Sequence, residues 1–273
     1  MKVAGKVAIV TGGGGGLGGA LSGRLAAAGA RVVVSDLDAA AASAVAARIN
    51  GPTGRAAIGV AADAAKTEDI QKVIGIAEGA FGPVDLYFAN AGIIGAPGLQ
   101  ATEQGWDLAI AVNLLAHVRA AQLLVPKWLE RGGGYFVSTA SAAGLLTQIG
   151  SATYATTKHA AVGFSEWLSV TYGDQGIRVS CLCPMGIETK MLHSDALGQI
   201  GTKAVQAAGD TLTPEQVADD VLDALDKEQF LILPHPEVLG MYQNKGADYD
   251  RWLRGMRRFQ ASLRPDASAR EAR

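Results

Sequence analysis

The chain has 273 residues, 49% of them hydrophobic and 18% charged, with a formal net charge of −2. That is ample apolar material for one buried core and too little charge for a disordered chain, so a single α/β domain with a short tail is expected rather than two domains. Apart from the local stretch Arg251 to Arg258 there is no basic run, which excludes the cationic surface a nucleic-acid binder needs and leaves a small molecule as the expected partner.

Strand-like and helix-like segments alternate from the start. Val7–Val10 is followed by a glycine-rich turn and a helix over Leu17–Ala28, Arg31–Ser35 by Ala39–Ile49, and Ala57–Ala61 by Thr67–Phe81. The rhythm continues with Leu86–Ala89, a long helix over about Glu103–Glu130, Gly134–Ser138, a second long helix over about Ala152–Asp174, and Arg178–Cys183. These strands are near-continuous apolar runs, the mark of a parallel sheet covered on both faces. Right-handed crossovers then give a doubly wound Rossmann fold of about seven strands flanked by helices.

Between Gly186 and Leu212 the period is lost, and the stretch of about 189–212 is expected to be an irregular substrate loop that closes as a lid. Thr213-Pro214-Glu215 then starts a helix, and Phe230–Leu233 forms the last strand. The segment of about 247–263 mixes Tyr249, Trp252, Leu253, Met256 and Phe259 with four arginines. It reads either as an interface reaching a partner subunit or as a solvated basic helix on its own subunit. One domain over 1–263 and a flexible tail over 264–273 are expected.

The N-terminus enters a strand without a signal-peptide core, and no apolar stretch is expected to span a membrane, so the expected location is cytoplasmic with no membrane partner. Cys181 and Cys183 share one face of a strand and cannot easily bridge, so they read as reduced core residues. With four scattered histidines, no metal site is expected.

Thr11-Gly12-Gly13-Gly14-Gly15-Gly16-Leu17-Gly18-Gly19 joins the first strand to the first helix, where glycines let backbone amides approach a pyrophosphate. So many glycines fit several spacings at once, and the register stays open on spacing alone. Strand two ends in Asp36, placed to accept hydrogen bonds from an adenosine ribose. Its charge, with no arginine following it, disfavours a 2′-phosphate and favours NAD. Capping of the next helix is the alternative role for Asp36. Asp63, after strand three, is placed either to meet the adenine or to cap a helix.

Tyr154 and Lys158 lie one turn apart on one helix face, so an ammonium adjoins a phenol and is expected to lower its pKa into a useful range for acid–base work. Such a pair is common by chance; its company gives it meaning. Ser141 precedes Tyr154 at a characteristic interval, Asn90-Ala91-Gly92 ends strand four, Asn113 lies on the following long helix, and Thr11-Gly12-x-x-x-Gly16-x-Gly18 opens the first helix. On these motifs, which run from residue 6 to about 234, the chain resembles the short-chain dehydrogenase/reductase family.

The resemblance implies roles. Tyr154 exchanges the proton with the substrate oxygen, Ser141 hydrogen-bonds that oxygen, Lys158 binds the nicotinamide ribose and lowers the Tyr154 pKa, and Asn113 holds a relay water. It settles the cradle on Gly12, Gly16, Leu17 and Gly18, and it adds Asn90, Gly92, Pro184, Ile187 and Thr189 to the cofactor contacts. It also implies a homotetramer joined through the two long helices. The chain departs from the family after strand six, where Pro-Gly is usual: Pro184 and Thr189 keep their spacing but Met185 stands where the glycine is usual, and Met185 is expected to face the substrate. Ser138 is the weaker serine candidate. The residues expected near the substrate, Ile94, Leu145, Leu146, Ile149, Met185, Met191 and Leu192, are mostly apolar and point to a hydrophobic or aromatic secondary alcohol or ketone. Two alternatives remain: a non-catalytic NAD(H) sensor of the same fold, and a serine hydrolase, for which Ser141 and His159 lack the G-x-S-x-G context.

Overall fold

The computed structural model of the chain describes residues 1–52, 54–194 and 198–264. The expected tail lies outside the described residues, apart from Arg264. Seven apolar runs, β1 (Val7–Thr11), β2 (Arg31–Asp36), β3 (Ala57–Ala61), β4 (Leu86–Ala89), β5 (Gly134–Thr139), β6 (Ile177–Leu182) and β7 (Leu231–Ile232), pair in parallel in the order β3-β2-β1-β4-β5-β6-β7. The doubly wound Rossmann fold read from the sequence is therefore present. Because the order reverses between β1 and β4, the strands' carboxyl ends part there and open a crevice.

Alternation along each strand sends side chains to two cores. Ala8 and Val10 pack with α1 (Gly16–Ala27), α2 (Ala39–Asn50) and α8 (Pro214–Asp226). Val7 and Ile9 pack with α3 (Thr67–Phe81), α5 (Ala116–Glu130) and α6 (Ala152–Tyr172) on the other face. Capping fixes where helices begin: Asp38 accepts from the amides of Ala40 and Ala41 at α2, and Thr213 and Gln216 form a reciprocal capping box at α8. Capping at α2 thus belongs to Asp38, not to Asp36.

Two segments differ from expectation. The first long helix is not regular: α4 (Glu103–Ile110) passes into a π-helical turn, Ala111–Leu115, before α5. A widened turn inside an α-helix usually marks a functional position, and this one carries Asn113. Contrary to the sequence expectation, Glu103–Glu130 as a whole is long and apolar enough to cross a membrane. Here its apolar residues, among them Ala120, Leu124 and Trp128, are spent on the second core.

The stretch expected to be irregular contains α7 (Gly198–Ala208), whose buried positions are Gly201 and Ala204. Ile200, Ala204, Val205 and Ala208 recur at helical spacing, a stripe that the expectation of an irregular loop overlooked. After β7 the chain adds α9 (Glu237–Ala247) and α10 (Tyr249–Ser262), which pack on each other.

Candidate active site

The crevice at the switch point is a cleft of about 880 Å³, running from the β1–α1 turn to the C-terminal helices. At one end, α1 starts without a side-chain cap and without an acidic residue in its first turn, so its free amides face the cleft as an anion site. The turn is tight: a Cβ on Gly18 would sit 2.1 Å from the Gly12 carbonyl oxygen, and Gly12 itself has φ +62°. No other residue fits Gly18 without moving backbone.

Asp36 reaches this turn. Its Oδ2 accepts from the Gly14 amide at 2.8 Å and its Oδ1 from the Asp38 amide at 3.0 Å, while the side chain still lines the cleft beside Leu37. Asp63 also lines the cleft; its Oδ1 accepts from the Ala65 amide at 2.9 Å, and α3 is entered at Lys66 without a side-chain cap, so Asp63 is not its N-cap.

Asn90 stitches the strand ends together. Its Nδ2 donates to the Thr11 carbonyl at 2.9 Å, its Oδ1 accepts from the Thr139 hydroxyl at 3.2 Å, and its backbone amide donates to the Thr11 hydroxyl at 3.0 Å. Gly92 keeps space for what lies beyond: a Cβ there would stand 3.3 Å from Lys158 Nζ and 3.4 Å from Asn113 Oδ1.

Ser141, Tyr154 and Lys158 converge on the cleft from the end of β5 and the first turns of α6. Ser151 caps α6 at the Tyr154 amide. Lys158 is buried, donates to the Thr139 carbonyl at 2.8 Å, and stands 5.6 Å from the centroid of the Tyr154 ring. Burial lowers the Lys158 pKa to about 8.

The Tyr154 phenol does not behave as the sequence suggested. Burial raises it above its ordinary value, with Ser141 pulling it down and the Cys183 thiol pushing it further up. Desolvation of the anion is the dominant influence on it.

Asn113 is fully buried, and its amide is spent on the protein. Oδ1 accepts from the Ile93 amide at 2.8 Å, and Nδ2 donates to the Ile93 carbonyl at 2.9 Å and to the Thr157 hydroxyl at 3.0 Å. With both protons engaged, the side chain fixes the loop after β4, and only the second lone pair of Oδ1 is left for a relay water. Ser138 faces away from the cleft, 2.8 Å from Nδ1 of His117 in the core. Burial, with Lys158 nearby, lowers the His117 pKa to about 3. His159 bonds back to the Ala155 carbonyl and does not line the cleft, so no serine–histidine pair forms with Ser141.

Past β6, Pro184, Met185, Gly186, Ile187 and Thr189 line the cleft. Thr189 is not a helix cap: its hydroxyl donates to the Ile187 carbonyl at 3.3 Å, and its methyl would lie 3.2 Å from a Cβ on Gly16, so it closes over the cradle. Met185 is held by His235, whose Nδ1 accepts the Met185 amide at 3.2 Å; its Nε2 then donates to the Asp210 carbonyl at 3.2 Å.

Of the residues expected near the substrate, Ile94, Leu146, Ile149, Met185, Met191 and Leu192 line the cleft, together with Ala204 and Val205 of α7. Leu145 does not; it is buried in a small core under β6. The sequence missed the far wall altogether. Met241 of α9 and Trp252, Met256 and Phe259 of α10 line the same cleft, so α10 is neither free in solvent nor directed away from its own subunit. The three α10 residues recur at i, i+4 and i+7 on one helix face, but that period does not say what the face packs against. His235 was missed because a lone histidine carries no pattern.

A model of the short chain dehydrogenase family matches residues 6–199. The chain is 32% identical to D-threitol dehydrogenase of Mycolicibacterium smegmatis over 80% of its own length and 84% of that protein's. It is 34% identical to cyclohexanol dehydrogenase of an Acinetobacter species, over 88% and 96% of the two chains. Among solved structures, a short chain dehydrogenase/reductase from Burkholderia phymatum in complex with NAD superposes with a TM-score of 0.83 at 28% identity, covering 92% of this chain and 96% of that one.

Proposed function

Because the chain belongs to the short-chain dehydrogenase family, we propose that it is an NAD(H)-dependent oxidoreductase that interconverts a secondary alcohol and a ketone, with Tyr154 as general acid and base. The observation that carries this reading is the convergence of Ser141, Tyr154 and Lys158 on one cleft that begins at the uncapped start of α1. A dinucleotide fits the residues present. The cradle admits no Cβ at Gly18, bare amides stand where phosphates would lie, and Asp36 offers a carboxylate beyond them.

Gly12, Gly16, Leu17 and Gly18 would hold the pyrophosphate, Asp36 the adenosine ribose, and Asp63 the adenine. Asn90, Gly92, Tyr154, Lys158, Pro184, Ile187 and Thr189 would hold the nicotinamide half. The bound nicotinamide supplies the hydride donor or acceptor.

The chain's own residues handle the proton. Ser141 donates to the substrate oxygen, and Tyr154 gives that oxygen its proton in ketone reduction or takes the hydroxyl proton in alcohol oxidation. At neutral pH the phenol carries its proton, as reduction needs, and the upward push of burial must be offset before it can serve as the base in oxidation. Lys158, fixed by the Thr139 carbonyl, presents its remaining donors to the ribose. Asn113 acts by holding Ile93 and Thr157 in register around this set.

The substrate end is apolar, from Ile94 through Met185 to Phe259, and favours a hydrophobic or aromatic group next to the reacting carbon. The two relatives differ here, one named for an alicyclic alcohol and the other for a polyol; the lining supports the former type. Exposed Leu108, Trp167 and Val170 on the long helices support a homotetramer assembled across them.

The deciding experiment follows absorbance of the reduced nicotinamide with NAD or NADP, a panel of secondary alcohols, and Tyr154→Phe as control. NAD reduction is expected, with kcat in the variant lower by about 10²–10⁴-fold. Turnover only with NADP would overturn the role of Asp36. Binding of NAD without turnover across the panel would favour a sensor.

A further inference from the structure

The far wall of the cleft is weakly anchored. Helix α10 has no fully buried residue, and α9 has only two, Val238 in its first turn and Lys245 in its last, next to α10; Met241 and Trp252 add half-buried contacts with the small core under β6. Val238 is an ordinary apolar anchor in the small core under β6. Lys245, only 7% exposed, is not. A lysine is buried at high cost unless each donor is met.

Here the ammonium is met from three sides. It donates to the Leu145 carbonyl at 2.6 Å, lies 3.4 Å from Nε2 of His159, and stands 5.3 Å from the centroid of the Tyr249 ring at the start of α10. His159 Nδ1 lies 2.8 Å from the Ala155 carbonyl, which only an N–H can serve, so Nε2 presents a lone pair to Lys245. Among the described residues no carboxylate forms an ion pair with it. Both acceptors adjoin the catalytic set: Leu145 ends the short 3-10 turn Ala142–Gly144 that follows Ser141, and His159 follows Lys158 on α6.

We propose that Lys245 is a positioning residue that fastens α9 and α10 to the Ser141 loop and to α6, and so holds Trp252, Met256 and Phe259 as the wall that receives the bulky end of the substrate. The proposal rests on the alcohol-dehydrogenase reading for its substrate and on the contacts above for the tie. An apolar residue at this position would bury as well, but it would not fix direction at the point where α9 hands over to α10. On this proposal a small alcohol held by Ser141 and Tyr154 leaves the wall untouched, so the tie is expected to govern binding of large substrates only.

The test uses the full chain carrying Lys245→Met, and Tyr249→Leu as a second variant at an exposed position that leaves the fold intact. Amide hydrogen exchange over Tyr249–Ser262 is expected to quicken by about tenfold in Lys245→Met and by less in Tyr249→Leu, with Pro214–Asp226 unchanged. With NAD, KM for 4-cyclohexylcyclohexanol is expected to rise by about five- to tenfold while KM for cyclohexanol and both kcat values stay within about twofold. Unchanged exchange over α10 in both variants would overturn the tie, as would an equal rise in KM for the two alcohols or a common fall in kcat. If the unaltered protein oxidises neither alcohol with either nicotinamide, the alcohol reading fails, and hydrogen exchange still decides the role of Lys245. Should Lys245→Met fail to fold, the exchange of Tyr249→Leu decides it.

Discussion

The two ends of the cleft are built on different physical terms. At the dinucleotide end, backbone approaches backbone: the Gly12 carbonyl lies where a Gly18 side chain would begin, and Asp36 bonds directly to the Gly14 amide. At the substrate end, side chains from α7, α9 and α10 form the walls, and no residue of α10 is fully buried. The first arrangement dictates residue type position by position. The second needs only apolar surface of the right shape, held in place by a few polar ties such as His235 and Lys245. Substitutions should therefore separate: those at the first end abolish cofactor binding for every substrate, and those at the second alter which substrate binds.

The largest expected effect is at Gly18. An added methyl would overlap the Gly12 carbonyl, and backbone must shift to admit it. Gly18→Ala is expected to weaken NADH binding by roughly 10–100-fold, the cost of overpacking a rigid site. Titration of nicotinamide fluorescence measures this without any substrate. Wild-type affinity in that variant would break the comparison, because the cradle would then be as forgiving as the far wall.

A smaller effect sharpens the comparison at the centre of the cleft. Lys158 has a pKa of about 8 in the folded protein against an ordinary 10.5, so folding disfavours its charge. Below pH 8 it is protonated in both folded and unfolded chains and its full burial cost is present. Between pH 8 and 10.5 the unfolded chain holds more protons, and stability gains as pH rises through that window. Lys158→Met removes the titration. It is expected to be more stable than the unaltered protein near pH 7 by up to about 3 kcal/mol, less the lost bond to Thr139, with the advantage gone near pH 10.5. Thermal melts of both proteins at the two pH values measure the difference, from which titrating groups remote from Lys158 cancel, while His117 and Cys183, which feel its charge, do not. A constant difference across pH would mean that burial does not penalise Lys158.

The same contrast explains what the sequence made legible. The doubly wound parallel sheet could be read because its strands are continuous apolar runs, whereas the register of the cradle was open on spacing alone and came from the family resemblance. Ser141, Tyr154 and Lys158 were legible together, through their order and intervals, more than singly. Asn113 was found, but its environment was not: the π-turn that presents it, and the loss of its amide to Ile93 and Thr157, depend on contacts with β4 and α6 that no local pattern encodes. The upward shift of Tyr154 likewise depends on burial. In α7 the stripe Ile200, Ala204, Val205 and Ala208 was overlooked, and in α10 the face Trp252, Met256 and Phe259 could be read but not what it packs against, because that depends on the fold around the cleft.

The smallest expected effect lies on the loop between Ser141 and α6. Thr147 is exposed, lines the cleft, and has φ +114°, a conformation that a β-branched residue adopts only under constraint. Its amide donates to the Ala143 carbonyl at 3.1 Å, one of the bonds that turn the chain here. Glycine would relieve the side-chain conflict and keep the amide, while adding freedom to the unfolded chain, so the two terms nearly offset. Thr147→Gly is expected to leave Tm unchanged or raise it by about 1–3 °C, with NADH affinity unaltered and KM for bulky alcohols raised as the loop loosens. A fall in Tm would show that the loop is held by its threonine rather than in spite of it. A fall in NADH affinity would be more damaging, because it would join the two ends of the cleft that the structure keeps on separate supports.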